Sequence, residues 1–313
     1  MALLLQSRRQ AILHTKIFAA TRYHSTVSSE RMQNALNYCK DSVSRLRDYE
    51  GYLCVPFFPA ELRNTQYAIR AFNVELASIR ENVSKPEIGK MRMQFWKDTI
   101  DKIYAGHPPE QPIALALSEA LKSTKMSALW MKRIISERVC SSNLDDHQFM
   151  TLKDMENYSE NTQSSLLYLQ LESLGVKDVN ADHAISHIGK MIGIATFLRS
   201  MPFHVSQKRL VLPAEITAKH NLVQENVFRG EIDGMEDAVY DVATAAYDQL
   251  LTARSLMSQI PREAFPAFLS AIPYVRYLEN LEKANFNVFD VKLQKKDWKL
   301  PIVMYRSFRT HTI

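Results

Sequence analysis

Apolar residues recur along most of this chain three and four positions apart, the spacing of one helical face, and seldom alternate as on a half-buried strand. Leu62, Ile69, Phe72, Leu76 and Ile79 form one such stripe, in a helix that Pro59-Ala60-Glu61 is suited to open. Upstream, a helix is predicted over 29–49 with Gly51 as its stop, followed by an apolar connector, Tyr52 to Pro59. Downstream, Ser84-Lys85-Pro86-Glu87 reads as a capping box for a helix that buries Ile88, Met91, Phe95 and Ile103 and ends at Gly106. Further helices are predicted over 112–121 and 125–139, and from Thr151, with Asp154 in the first turn, to Leu174-Gly175. A long one follows Asp233 and runs to Met257, with Pro261 beyond it, and a last one spans 266–283.

The segment from Ser186 breaks this amphipathic rule. Met191, Ile192, Ile194, Ala195, Phe197 and Leu198 make it apolar on nearly every side, which places it at the centre of a bundle. Gly189 and Gly193 lie four apart on one face and predict a close helix crossing there. Pro202 is expected to end the helix.

Composition agrees with an all-α reading: the 313 residues include only 8 glycines, and long stretches consist of helix formers. With no internal repeat and no linker rich enough to split the chain, one helical domain is expected over residues 25–291. No apolar run reaches the roughly 18 to 20 residues of a membrane span. Cys39, Cys54 and Cys140 lie far apart, as reduced core thiols do, not as a disulfide framework or zinc site.

Charge changes the picture at both ends. Arg8, Arg9, Lys16 and Arg22 precede the first acid, Glu30, and supply four units of the net charge of +5. The remainder is near neutral, which excludes the broadly basic surface of a nucleic-acid binder. Residues 1–24, basic, acid-free and apolar at Leu3, Leu4, Ile12, Ile17 and Phe18, have the composition of a mitochondrial transit peptide. At the other end, residues 292–313 carry Lys292, Lys295, Lys296, Lys299, Arg306 and Arg309 with Trp298, Tyr305 and Phe308 among them. Two readings of this tail stand: an element for an anionic membrane surface, or a solvated tail whose aromatics pack back on the bundle.

Several segments resemble the phytoene/squalene synthase family. Phe57-Phe58-Pro59-Ala60-Glu61-Leu62-Arg63 and Tyr67 to Phe72 are similar to its entry motif, and Leu198-Arg199 with Lys208 to Pro213 to its second signature. Tyr158 to Leu166 is similar to a Tyr…Ala-Gly helix of that family, with Gln163 and Ser164 at the Ala-Gly positions. The resemblance implies a helical bundle of the isoprenoid synthase type. It also implies two Asp-rich motifs that hold Mg²⁺ for diphosphate chemistry. Here the first set of positions reads Ala77, Ser78 and Glu81, and the second Ser200, Phe203 and His204. The resemblance therefore implies no catalytic, cofactor-binding or metal residues, only a vestigial pocket, expected at Ile192, Phe197, Arg199 and Arg209, that could hold a lipid. AFNVELASIRE, MRMQFWK, ENTQSSLLYL and ADHAISHIGK are most similar to a non-catalytic branch of the family that serves the assembly of mitochondrial respiratory complex I. That branch implies complex I subunits or assembly intermediates as partners, met peripherally at the matrix face of the inner membrane at an early stage. The competing reading is an isoprenoid-diphosphate transferase with an atypical metal site.

Other acids and histidines fit bland roles. Asp233, Asp237 and Asp241 share a spacing of four, but an N-cap and a helix N-terminus account for the first two. His183 and His187, four apart beside Asp182, lack the glutamate of an H-E-x-x-H pattern and read as a surface pair.

Overall fold

The computed structural model describes residues 29–44, 48–140 and 148–313, so the basic segment 1–24 lies outside the described residues. In chain order the helices are α1 (29–43), α2 (Tyr49–Cys54), α3 (Arg63–Ser78), α4 (Pro86–Tyr104), α5 (Pro112–Ser123), α6 (Ala128–Cys140), α7 (Leu152–Ser159) and α8 (Ser165–Ser173). They continue as α9 (Val179–Ser206), α10 (Ala214–Lys219), α11 (Gln224–Phe228), α12 (Met235–Leu256), α13 (Phe265–Phe268), α14 (Ile272–Lys283) and α15 (Leu300–Thr310). No strand occurs among the described residues.

The 28-residue α9 is the axis of the bundle. Asp178 caps it by accepting from the Ala181 amide at 2.8 Å. Its sides are buried against α12, α7, α14 and the segment between α7 and α8. That segment, Glu160–Ser164, is a π-helical turn. With Ser159, the last residue of α7, it lies directly on the two glycines: a Cβ at Gly189 would come within 2.1 Å of Ser164 Oγ, and one at Gly193 within 2.2 Å of Ser159 Oγ. Ser164 Oγ donates to the Ser186 carbonyl at 3.0 Å, and Ser186 Oγ to Glu160 Oε2 at 2.6 Å, which fastens the crossing with polar bonds.

Two apolar clusters form the interior. One gathers around α9, α12 and α14 through residues such as Ile188, Leu198, Val239, Leu250 and Phe268. The other unites α3 to α6 through Ile69, Phe72, Trp96, Leu117 and Ile134. Helix α8 belongs to both, giving Leu167 and Leu171 to the first and Leu166 and Leu169 to the second.

Local expectations fail at five places, each for a physical reason. Pro202 does not end α9: a proline removes one amide donor, and with a turn still to run the helix absorbs that loss and continues to Ser206. Gly51 is no stop either. It sits inside α2, where a Cβ would lie 2.1 Å from Arg70 Nη1, so the glycine admits the Arg70–Asp48 ion pair. The capping box before α4 is absent, because the N-cap is Lys85 and Pro86 occupies the first turn. Asp233 does not cap α12; Gly234 does, in a left-handed conformation at φ 81°. Helix α4 turns its other stripe inward. Met93, Trp96, Ile100 and Ile103 are buried, while Ile88, Met91 and Phe95 are exposed, Met91 at 72 %.

The C-terminal segment packs on the bundle. Leu300 and Met304 of α15 are buried, and the Phe308 ring lies 5.2 Å from that of Phe57. Arg276 pairs with Asp297. The outward face presents Trp298, Ile302 and Tyr305, at one-turn spacing, with Lys295, Lys299, Arg306 and Arg309 also exposed. No helix among the described residues is long and apolar enough to cross a membrane.

Candidate functional site

A cavity of about 350 Å³ opens where the two apolar clusters meet. Leu76 and Met93 line it from the cluster of α3 to α6, and Phe197 from that of α9. Phe197 forms an aromatic wall with Tyr158 and Phe149, at ring separations of 5.6 and 5.2 Å. Gly193, Thr196, Ser200, Phe203 and His204 complete the α9 side. These positions follow from helical periodicity: 193, 197, 200 and 204 are separated by four, three and four residues and fall on one face.

Of the residues singled out from sequence, Ala77, Glu81, Phe197, Ser200, Phe203, His204 and Arg209 come together on this cavity. The others do not. Ser78 turns its hydroxyl back to the Glu75 carbonyl at 2.9 Å. Ile192 is buried beside a separate small void near Arg70 and Tyr274. Arg199 leaves the cavity altogether, pairing with Glu50 at 3.0 Å and lying 5.0 Å over the Tyr274 ring. It lines a neighbouring groove of about 360 Å³ with Arg276 and Lys292. Of the four residues expected to line a pocket, Ile192, Phe197, Arg199 and Arg209, this cavity is lined by Phe197 and Arg209.

The donor set at the cavity does not fit Mg²⁺, which takes hard oxygen ligands in near-octahedral geometry. Ala77 and Phe203 bring no ligand. Ser200 Oγ donates to the Phe197 carbonyl at 3.2 Å. Glu81 faces Arg209, its two oxygens 3.4 and 3.5 Å from the guanidinium nitrogens. Among the described residues no group of three or more His, Cys, Asp or Glu side chains is placed to hold a metal ion. His183 and His187 contact one another, Nε2 to Nε2 at 3.2 Å, and His187 Nδ1 meets Gln249 at 2.6 Å. Asp241 is bound by Lys219 and His220, each at 2.7 Å, and their hydrogen bonds hold its carboxyl below the usual carboxylate range.

Arginine dominates instead. Among the described residues, Arg80, Arg138 and Arg209 line the cavity together with the carboxylate of Glu81. Arg138 is 6 % exposed and donates to the Asn73 carbonyl at 3.0 Å and to Asn73 Oδ1 at 2.7 Å. Burial pulls its guanidinium below the usual arginine range, and a hydrogen bond with Tyr158 works against that shift. Among the described residues its Nε–H has no acceptor. Sequence reasoning overlooked this residue, yet a signal existed. Met131, Ile134 and Ile135 are buried, and position 138 continues their stripe by one turn, so a charge falls on an inward face.

A bundle wound around one glycine-bearing axis, with a cavity beside that axis, defines a class. The chain matches the squalene/phytoene synthase family over residues 44–303 and belongs to it. The fold agrees with the crystal structure of a dehydrosqualene synthase in complex with ligand, at a TM-score of 0.77, with 16 % identity, covering 90 % of this chain and 98 % of that one. Within the family, the chain is similar to NADH dehydrogenase (ubiquinone) complex I, assembly factor 6. The Bos taurus protein of that name is 48 % identical over 86 % of this chain and 80 % of its own length. The Homo sapiens protein is 46 % identical over the same shares. A phytoene synthase of Arthrospira platensis is far more distant, at 19 % identity over 69 % of this chain and 75 % of that one.

Proposed function

We propose that this protein is a non-catalytic member of its family that acts as an assembly factor for mitochondrial respiratory complex I. It works on subunits or assembly intermediates at an early membrane-bound stage, from the matrix face of the inner membrane. Residues 1–24 deliver it as a transit peptide, and the cavity holds a lipid in place of a reacting substrate. The observation that carries this reading is the similarity, over most of the chain, to relatives named for complex I assembly. The chemistry of the cavity supports it. Ionising a diphosphate with bound Mg²⁺ requires carboxylates on facing helices. Here the α9 side has none, and the single α3-side carboxylate, Glu81, is engaged by Arg209.

The deciding test is complementation of cells that lack the protein. Wild type and Glu81→Ala should restore complex I equally, with the other respiratory complexes unaffected by the loss. The purified protein should release no diphosphate from farnesyl or geranylgeranyl diphosphate with Mg²⁺ present. Diphosphate release that Glu81→Ala abolishes, together with loss of rescue by the same variant, would restore the transferase reading.

A further inference from the structure

We propose that His183 and His187 of α9 form a two-nitrogen site for a divalent transition metal, with Zn²⁺ as the ion the geometry fits best. The site is separate from the cavity and from the positions where the family resemblance implies metal-binding acids. It does not rest on the assembly reading.

The first support is spacing. Residues four apart on a helix lie one above the other on the same face. The two Nε2 atoms here stand 3.2 Å apart. A Zn²⁺ ion bonded to both at about 2.05 Å would hold them at an angle of about 100°, close to the tetrahedral value. The separation already present is the one a chelate needs. His183 is exposed and His187 half-buried, so an ion reaches the pair directly from water.

The second support is the group that holds the inner ring. Gln249 Nε2 donates to Glu156 Oε1 at 3.0 Å. A carboxylate only accepts, which orients the amide and leaves Gln249 Oε1 facing His187 Nδ1 at 2.6 Å. Nδ1 therefore carries the proton, and in the neutral ring Nε2 carries the lone pair. Metal-binding histidines ordinarily have this arrangement, with one nitrogen on the ion and the other donating to an outer acceptor. The relay crosses three helices, from Glu156 of α7 through Gln249 of α12 to α9, so packing sets the direction of the ring.

In the metal-free protein the contact is a hydrogen bond from His183 Nε2–H to His187 Nε2. An ion takes the place of that proton, which passes through water to Nδ1 of the same ring, so no net proton is released. Imidazole suits Zn²⁺, Cu²⁺ and Ni²⁺, whereas Mg²⁺ prefers oxygen. Among the described residues no third His, Cys, Asp or Glu completes the set. A four-coordinate ion thus keeps two positions for water or for donors from a partner.

Calorimetric titration of the folded protein with Zn²⁺, followed in parallel by nitrogen NMR of the histidine rings, tests this. One equivalent of Zn²⁺ should shift the ring nitrogens of His183 and His187 together. Cu²⁺ should displace it, and excess Mg²⁺ should not. His183→Gln and His187→Gln should each weaken the site by roughly tenfold or more, at least the loss that follows removal of a ligand's outer partner. Gln249→Leu tests the positioning role. It should weaken Zn²⁺ binding by roughly tenfold and, before metal is added, spread the His187 ring proton over both nitrogens. Should His187→Gln or Gln249→Leu fail to fold, the exposed His183→Gln and the spectra of the wild type still decide. Unchanged Zn²⁺ affinity in His183→Gln, or shifts at other histidines in place of these two, would mark an adventitious ion only and overturn the proposal. Displacement by excess Mg²⁺, or a neutral His187 protonated at Nε2, would overturn it as well.

Discussion

Among the buried polar side chains of the described residues that leave an atom without a partner, Arg138 and Gln170 call for different accounts. Arg138 lines the cavity and keeps two hydrogen bonds to Asn73. Gln170 is fully buried on α8, with neither its amide nitrogen nor its amide oxygen hydrogen-bonded. An unsatisfied buried polar group costs about 1–3 kcal/mol, and methionine matches glutamine in length. Gln170→Met should therefore raise stability by about 1 kcal/mol, seen as a higher midpoint in urea with an unchanged slope. The site was legible at this scale where helical phase was applied strictly. Ser200 and His204 share a face of α9 with Gly193 and Phe197, so their meeting could be read from numbers alone. Ile192 and Arg199 share the neighbouring stripe with Thr196 and Phe203, which do line the cavity, so periodicity alone does not remove them. What sequence could not supply was the ion pair of Glu81 with Arg209, which bridges two elements far apart in the chain.

At the scale of elements, the crossing of α9 over the π turn is a tight constraint. Alanine is a better helix former than glycine by about 1 kcal/mol, so propensity alone would favour Gly189→Ala. Packing outweighs it. The new Cβ would meet Ser164 Oγ at 2.1 Å and the Ser164 backbone nitrogen at 2.4 Å, and backbone cannot swing aside. The variant should lose about 1–3 kcal/mol by chemical denaturation, the usual range for overpacking. Gly193→Ala meets the side chain of Ser159 at its nearest point, so pairing it with Ser159→Gly should recover part of its loss. The glycine spacing revealed that crossing, whereas α4 shows where pattern runs out. Two apolar stripes satisfy helical periodicity there, and only the neighbours α5 and α6 decide that Trp96 and Ile100 go in while Met91 and Phe95 stay out. Pro202 misled for a related reason: a breaker removes a single bond, and its effect depends on how much helix remains to be held.

At the scale of the whole molecule, the C-terminal segment turns one side to the bundle and another to solvent. Phe308 and Met304 hold α15 to the bundle, while Trp298, Ile302 and Tyr305 point outward, Trp298 at 74 % exposure. An aromatic face flanked by lysine and arginine suits an anionic bilayer. Neutralising Lys295, Lys299 and Arg306 to Gln should weaken binding to phosphatidylserine-containing vesicles by about 1 kcal/mol per charge. Sedimentation of the variant with vesicles at low salt checks this, and unchanged binding would assign the anchor to a protein partner. Packing of the tail's aromatics back on the bundle was one of the two readings of the sequence; its partners were not legible, since Phe57 and Phe265, remote in the chain, converge on Phe308.

The shared helix α8 has a mechanical consequence. Leu166 and Leu169 are locked in one core and Leu167 and Leu171 in the other, on a helix only nine residues long. Swinging one core against the other would drag apolar side chains out of close packing on one side or both. The recess between them is accordingly a fixed gauge and not a jaw: anything that entered it would have to match the shape it already has.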